Sequence, residues 1–264
     1  MDKLLQRSNG EINIELLDNN FKKFFQSGCC KILNPNSYND NKELVLINTA
    51  GGITCNDSIE INATIHNSEL SICTQAAEKI YSGIGDPAKL DININLNNST
   101  FYWLPKELIL FDNSKLRRDI NVNLSNNSNL IFCETTIFGR KAMSEKIKNI
   151  SFSDQWKIYS NSSIKHFEAI NIKGSTIDNF NNNYTFSNQS SLSTILIFGD
   201  IVHQLESVLR KVKNNFGNHY CEITKFDDKI IIRCLADDNY DLKKTLNIIM
   251  KNVINDKLPK SWDL

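Results

Sequence analysis

Strict alternation of apolar and polar residues, repeated in segment after segment over the first three-quarters of the chain, is the feature that most restricts its fold. Glu11-Ile12-Asn13-Ile14-Glu15-Leu16, Ser58-Ile59-Glu60-Ile61-Asn62-Ala63-Thr64-Ile65 and Asp119-Ile120-Asn121-Val122-Asn123-Leu124 each send every second side chain to the same side. A period of two belongs to strands with one buried and one wet face. Further strands are expected over 44–47, 69–74, 130–133, 155–159, 164–172 and 194–198. Turn signals at Asn126-Asn127, Gly139, Gly174 and Gly199-Asp200 separate them. Asparagine often alternates with isoleucine, as in Asp91-Ile92-Asn93-Ile94-Asn95-Leu96, which reads as polar filling of solvent-facing strand positions. Many short strands with few helices imply stacked sheets or a barrel-like solenoid, although no fixed repeat period marks a regular one.

The last quarter changes period. Val202, Leu205, Leu209, Val212 and Phe216 predict an amphipathic helix from about 201 to 216. A strand pair, 220–226 and 229–235, is expected to join at Asp227-Asp228. Leu242, Leu246, Ile249, Met250 and Val253 mark a second helix, with Asp241 as its expected N-cap and Pro259 as its stop. The Asn/Ser/Thr-rich segment 176–193 is expected to be an exposed loop. The chain thus reads as one domain, a β body over about 1–200 and an α/β portion over about 201–264.

Composition removes several classes of function. Lys+Arg and Asp+Glu are both 30 and no basic stripe is visible, which argues against nucleic acid as partner. No run approaches the ~20 apolar residues that span a bilayer, and Met1 to Ser8 has no apolar signal core, so a cytoplasmic location is expected. The seven cysteines include no C-x-x-C pair, so neither a disulfide framework nor a structural zinc site is expected. Cys29 and Cys30, adjacent in sequence, are expected to point to opposite faces as buried thiols. Cys73, Cys133, Cys221 and Cys234 read as core. The four histidines show no ligand spacing.

Four segments stand apart from ordinary strand sequence: Asn48-Thr49-Ala50-Gly51-Gly52-Ile53-Thr54-Cys55-Asn56-Asp57; Thr74-Gln75-Ala76-Ala77-Glu78-Lys79-Ile80-Tyr81; Trp103-Leu104-Pro105-Lys106-Glu107-Leu108-Ile109-Leu110-Phe111 with Arg117-Arg118 after it; and Glu134-Thr135-Thr136-Ile137-Phe138-Gly139-Arg140-Lys141-Ala142-Met143-Ser144-Glu145. In this order, with Pro259-Lys260-Ser261-Trp262 near the end, they resemble the signature of the UreD (UreH) family of urease accessory proteins. Cys55-Asn56 stand where that family usually has two glycines, Ser144 replaces a glycine, and Lys106 replaces a glutamine.

The resemblance implies a mainly β fold: stacked β-sheets in a β-helix-like body with two C-terminal α-helices. It implies a scaffold, not an enzyme, that acts with UreF and the GTPase UreG on apo-urease, with nickel supplied through UreE. No tightly bound cofactor is implied, only transient Ni²⁺. A transit protein needs weak, exchangeable oxygen ligands, because thiolates and imidazoles hold the ion longer. Asp57, Glu78, Glu134 and Glu145, at expected loops or strand ends, are the candidate carboxylates, with Glu60 and Glu107 behind them and Cys55 as the candidate thiol. The competing readings are a hydrolase using a carboxylate pair such as Glu134 and Glu145, and a β-rich interaction protein with no metal role. Structural roles compete at each site: a tight turn for Gly51-Gly52 and Gly83-Ile84-Gly85, core anchoring for Trp103 and Phe111, and a solvated or ion-paired surface place for Arg117-Arg118.

Overall fold

The structure, a computed structural model, describes residues 6–36, 42–125, 127–143, 145–175, 182, 185–213, 220–255, 258–259 and 262. The alternating segments form a seven-stranded sheet. Its centre is five parallel strands, β1 (Asn9–Leu17), β5 (Ser58–His66), β8 (Ala88–Asn97), β11 (Lys115–Leu124) and β13 (Asn149–Ser160). The strands β2 (Asn20–Gly28) and β14 (Ser163–Ser175) add to the two edges antiparallel.

A ten-stranded sheet faces it, in the order β16 (Tyr220–Phe226), β17 (Lys229–Ala236), β15 (Ser191–Phe198), β12 (Asn129–Phe138), β9 (Thr100–Leu104), β6 (Glu69–Thr74), β4 (Lys42–Asn48) and β3 (Cys30–Leu33). Two short strands, β7 (Glu78–Ile80) and β10 (Leu108–Leu110), lie off that path and pair with each other. From β4 to β13 the chain passes back and forth between the sheets, so successive rungs stack as in a β-helix, and neither sheet closes on itself. The rung spacing is uneven: Ser58 lies beside Lys89, Ala88 beside Leu116, and Leu116 beside Phe152. That unevenness is why no repeat period shows in the sequence.

The apolar phase of the first sheet, such as Ile12, Ile61, Ile92 and Val122, meets Leu70, Phe101 and Phe132 of the second in one core. The other face of the second sheet, with Ile131, Ile195 and Ile232, is covered by α1 (Ile201–Val212) and α2 (Asn239–Ile254) in a second core. Across the outer face of the first sheet, Asn62 donates to Asn13, Asn93 to Asn62 and Asn121 to Asn93, at 3.0–3.1 Å. Parallel in-register strands place like residues side by side, which turns the asparagine bias into a ladder of amide bonds. Among the described residues no helix is long and apolar enough to cross a membrane.

Several boundaries differ from the sequence reading. The first helix ends at Val212, and 214–216 lie outside the described residues. The second helix starts at Asn239, capped by Asp238, whose carboxylate accepts the Tyr240 amide; Asp241 instead sits in the first turn. Gly174 lies inside β14, near its end, at φ 80°. The expected loop 176–193 gives way to β15 at Ser191, and most of its remainder lies outside the described residues. Cys221 and Cys234 are directly opposite across the β16–β17 hairpin, Cα atoms 4.1 Å apart, as a disulfide, which the irregular cysteine count did not anticipate. Hairpin register, not spacing along the chain, brings them together.

Candidate functional site

Three successive rungs of the ten-stranded sheet break at the same level, and the unusual sequence segments are the breaks. After β4 comes Thr49-Ala50-Gly51-Gly52, and the next residue, Ile53, bridges to Ile80. After β6 comes Gln75-Ala76-Ala77, then β7; after β9 comes Pro105-Lys106-Glu107, then β10. The next rung, β12, is unbroken and pairs with β9 by its first half and β10 by its second. Proline has no amide to give to a ladder, and the small residues let the backbone turn outward and return. The breaks are sewn together across rungs: Gln75 N donates to Leu46 O at 2.9 Å, Glu78 N to Glu107 O at 2.9 Å, and Lys106 N to Thr74 Oγ1 at 2.8 Å.

Behind the breaks, between the two sheets, lies a cavity of about 250 Å³. Its mouth carries Asn48, Gly52, Thr74, Glu78 and Lys106, and its walls are mostly apolar, including Ile61, Ile92 and Leu46. Glu78 is the carboxylate at the mouth. Both of its oxygens accept from Asn48 Nδ2, at 3.0 and 3.2 Å. Burial pushes its carboxyl up to about 7, against the lowering effect of that amide. It therefore exchanges its proton near neutral pH.

Arg118 and Glu134 close the cavity from the inside. Arg118 holds Asp154 in a two-pronged contact, Nε to Oδ1 at 2.8 Å and Nη2 to Oδ2 at 2.6 Å, and its Nη1 donates to Glu134 Oε2 at 2.5 Å. Trp103 Nε1 donates to Glu134 Oε1 at 2.7 Å and Trp156 Nε1 to Asp154 Oδ1 at 3.0 Å. The three charged groups are 2–4% exposed. Burial pushes the Glu134 carboxyl up, and the Arg118 guanidinium opposes that rise. The expectation of a surface place for both arginines is thus corrected for Arg118: it shares the inward phase of Leu116 and Ile120, and only Arg117 faces water.

The candidates of the sequence reading fall in different places. Glu78 and Glu134 meet the cavity, but Glu134 stands in the middle of β12 rather than at a strand end, with both oxygens bonded. Asp57 is buried and ties down the turn after the first motif: Oδ1 accepts Ser8 N and Oδ2 accepts Thr54 N, each at 2.8 Å. Asn56 beside it takes φ 65°, the left-handed backbone that asparagine tolerates. The Cys55 side chain is buried, and its carbonyl accepts Arg7 Nη1 at 2.9 Å. Glu145 is ion-paired with Arg140 at 2.9 Å. Glu60 points outward from β5, and Glu107 accepts from Asn239 Nδ2 at 3.0 Å. Glu134 is bonded to Arg118 and Trp103 and Glu145 to Arg140, so the two carboxylates are engaged by separate partners. Among the described residues, no three His, Cys, Asp or Glu side chains converge on a point where an ion would sit.

A second level of contacts ties the four segments to one another. A methyl group on Gly52, at φ 141°, would overlap the Tyr81 ring, so the first segment needs glycine there. Tyr81 meets Phe111 edge-on at 4.9 Å, and the Arg140 guanidinium lies 4.2 Å over the Phe111 ring. Gly52, Tyr81, Phe111, Arg140 and Glu145 form one line of contacts through all four segments.

The chain matches the family described as "UreD urease accessory protein" over residues 11–260. It is 30% identical over 245 residues to the urease accessory protein UreD of Agrobacterium fabrum, covering 92% of this chain and 85% of that one. It is 30% identical over 263 residues to the protein of the same name from Rhizobium leguminosarum bv. trifolii, covering 97% and 94%. The Rhizobium rhizogenes protein of that name is 29% identical over 263 residues, covering 98% and 95%.

Proposed function

Since the chain belongs to the UreD family of urease accessory proteins, whose members named above are accessory proteins of urease and not enzymes, we propose that it is a scaffold for nickel insertion. In this reading it sits with UreF and UreG homologues on apo-urease and gives nickel delivered by UreE a way to the empty active site, in a GTP-dependent step. The observation that carries the reading is the coincidence of three family segments with three stacked breaks that open on one cavity.

The chemistry at the mouth suits transit better than storage. Glu78 offers a hard oxygen donor, alone, with a proton that leaves near neutral pH. One carboxylate holds a divalent ion loosely, and a cavity of about 250 Å³ has room for an ion with part of its water shell. The aliphatic walls supply no ligand, and burial keeps the Cys30 thiol of the wall protonated, so that it does not hold the ion as a thiolate would. Of the candidates named from sequence, Glu78 takes the role of transient ligand here. Asp57, Glu134, Glu145 and Cys55 hold the frame around it.

The test is co-expression of urease with its accessory proteins, with this chain absent, wild type or Glu78→Ala, and nickel per urease measured by mass spectrometry. Loss of nickel without the chain and a reduced content with Glu78→Ala, while the assembly still co-purifies, are expected. Full loading without the chain would overturn the scaffold role. Full loading with Glu78→Ala would overturn the route alone.

A further inference from the structure

Cys29 and Cys30 do not point to opposite faces. Gly28 ends β2 at φ 62°, and Cys29 occupies the turn before β3 rather than an extended position. Its amide donates to Asn9 O and its carbonyl accepts from Thr49 N, both at 2.8 Å, so the turn is fixed on two sides. Both sulfurs lie over Gly10: a methyl group on that glycine would overlap Cys30 Sγ and crowd Cys29 Sγ. Each thiol is near enough to the other to influence its titration. Cys30 is buried and lines the cavity, whereas Cys29 is half-buried and gives access from outside.

We propose that the Cys29–Cys30 pair, converging over Gly10, is a two-sulfur site for a thiophilic monovalent cation of the copper(I) type. Softness and coordination number both select the ion. Paired thiols favour soft d¹⁰ ions, and the absence of a third His, Cys, Asp or Glu donor among the described residues suits an ion content with two or three ligands. Nickel(II) and zinc(II) need more donors than the pair supplies. Burial and the neighbouring Cys29 push the Cys30 thiol up to about 12, so the resting pair is protonated. Binding therefore forms two S–Cu bonds and releases two protons to water, with copper staying at +1 and no electron transferred. The inference does not depend on a nickel route: Cys30 forms part of the cavity wall whatever passes through it.

The full chain, reduced and kept anaerobic, is titrated against copper(I) bicinchoninate, with copper transfer read from the loss of the probe's colour. One copper(I) per chain is expected. Cys29→Ser should weaken capture by at least about tenfold, and Cys221→Ser with Cys234→Ser should leave it unchanged. Nickel(II) at about tenfold excess should not displace the copper, as donor softness requires. Cys29→Ser is the decisive variant because Cys29 is half-buried and its loss leaves the core intact; Cys30→Ser is judged only if its circular dichroism matches wild type. No capture by the wild type, capture by Cys29→Ser equal to wild type, or displacement by nickel would each overturn the site.

Discussion

Arg117 and Arg118 are neighbours on one strand and have opposite surroundings. Arg117 stands on the outer face, its side chain 62% exposed, 2.7 Å from Asp119. Arg118 stands between the sheets, held by two carboxylates and, through them, two tryptophans. The outer face tolerates loose charge accounting. Glu11, Glu60, Asp91 and Asp119 lie in register on four adjacent strands, like charge beside like charge, with water and Arg117 to screen them. The Asp91 carboxyl is pushed up, by burial first and Asp119 second, yet the row persists. The inner face permits no such looseness: each buried charge there has a geometrically fixed partner.

The strongest way to break this contrast is Arg118→Leu. It leaves Glu134 and Asp154 buried without a counter-charge, which should cost about 3–5 kcal/mol. Urea unfolding of the purified chain measures it. Replacing Arg118, Glu134 and Asp154 together by apolar residues should recover most of that loss, because the desolvation cost disappears with the charges. If the triple variant is no more stable than Arg118→Leu, the ionic pin contributes more than pairing and the contrast needs restating.

Glu78 sharpens the comparison from the cavity side. Its folded-state pKa of about 7 lies above its ordinary 4.5, so the folded chain keeps the proton longer than the unfolded chain. The associated stability is present below about pH 4.5 and is lost as pH rises through about 7, a total of roughly 3 kcal/mol. Glu78→Gln should flatten that slope. Unfolding midpoints at pH 5 and pH 8 check this, and an equal slope in both proteins would place Glu78 in a wetter setting than the cavity mouth.

Much of the first sheet was legible in the alternation because its five parallel strands each have one buried and one wetter face. β2 was not, since an edge strand exposed on both sides has no reason to alternate, and Lys22, Lys23, Phe24 and Phe25 are all exposed. The buried charge cluster left a signal that went unread. Arg118 is in phase with Leu116, Ile120 and Val122, and Asp154 with Phe152, Trp156 and Ile158, and opposite charges in the apolar phase of paired strands mark a buried contact. The breaks that open on the cavity were visible as unusual segments, but their stacking at one level was not, because no repeat period gives the rung register. Cys29 was misplaced because the strand rule fails at the residue after a left-handed glycine. Asp57, chosen as an ion ligand, turned out to have both oxygens taken by amides, so Asp57→Ala reads out folding of the turn rather than passage of an ion.

The outer face should yield smaller effects. Asn93 both donates to Asn62 and accepts from Asn121, so Asn93→Ala interrupts the ladder at its middle. Loss of two amide bonds at a partly wet site should cost about 0.5–1.5 kcal/mol. A cost near zero would mean that water replaces the ladder without penalty and that the asparagine bias is compositional only.

Arg117→Ala should have the smallest effect, below about 0.5 kcal/mol at moderate salt. The reason is solvent: most of the guanidinium is wet, so its attraction to Asp119 is screened, and its removal exposes no unpaired buried group. The residual effect should come from the carboxylate row, because Arg117 also lowers the Asp91 carboxyl that Asp119 raises. Removing it should therefore cost more at low ionic strength and almost nothing near 1 M salt, where the screening length falls to ~3 Å. Arg118→Leu should keep its cost across the same salt range, since ions do not enter between the sheets. Urea midpoints of both variants at low and high salt decide the matter: equal salt dependence in the two would mean that the inner and outer faces do not differ in the way their burial requires.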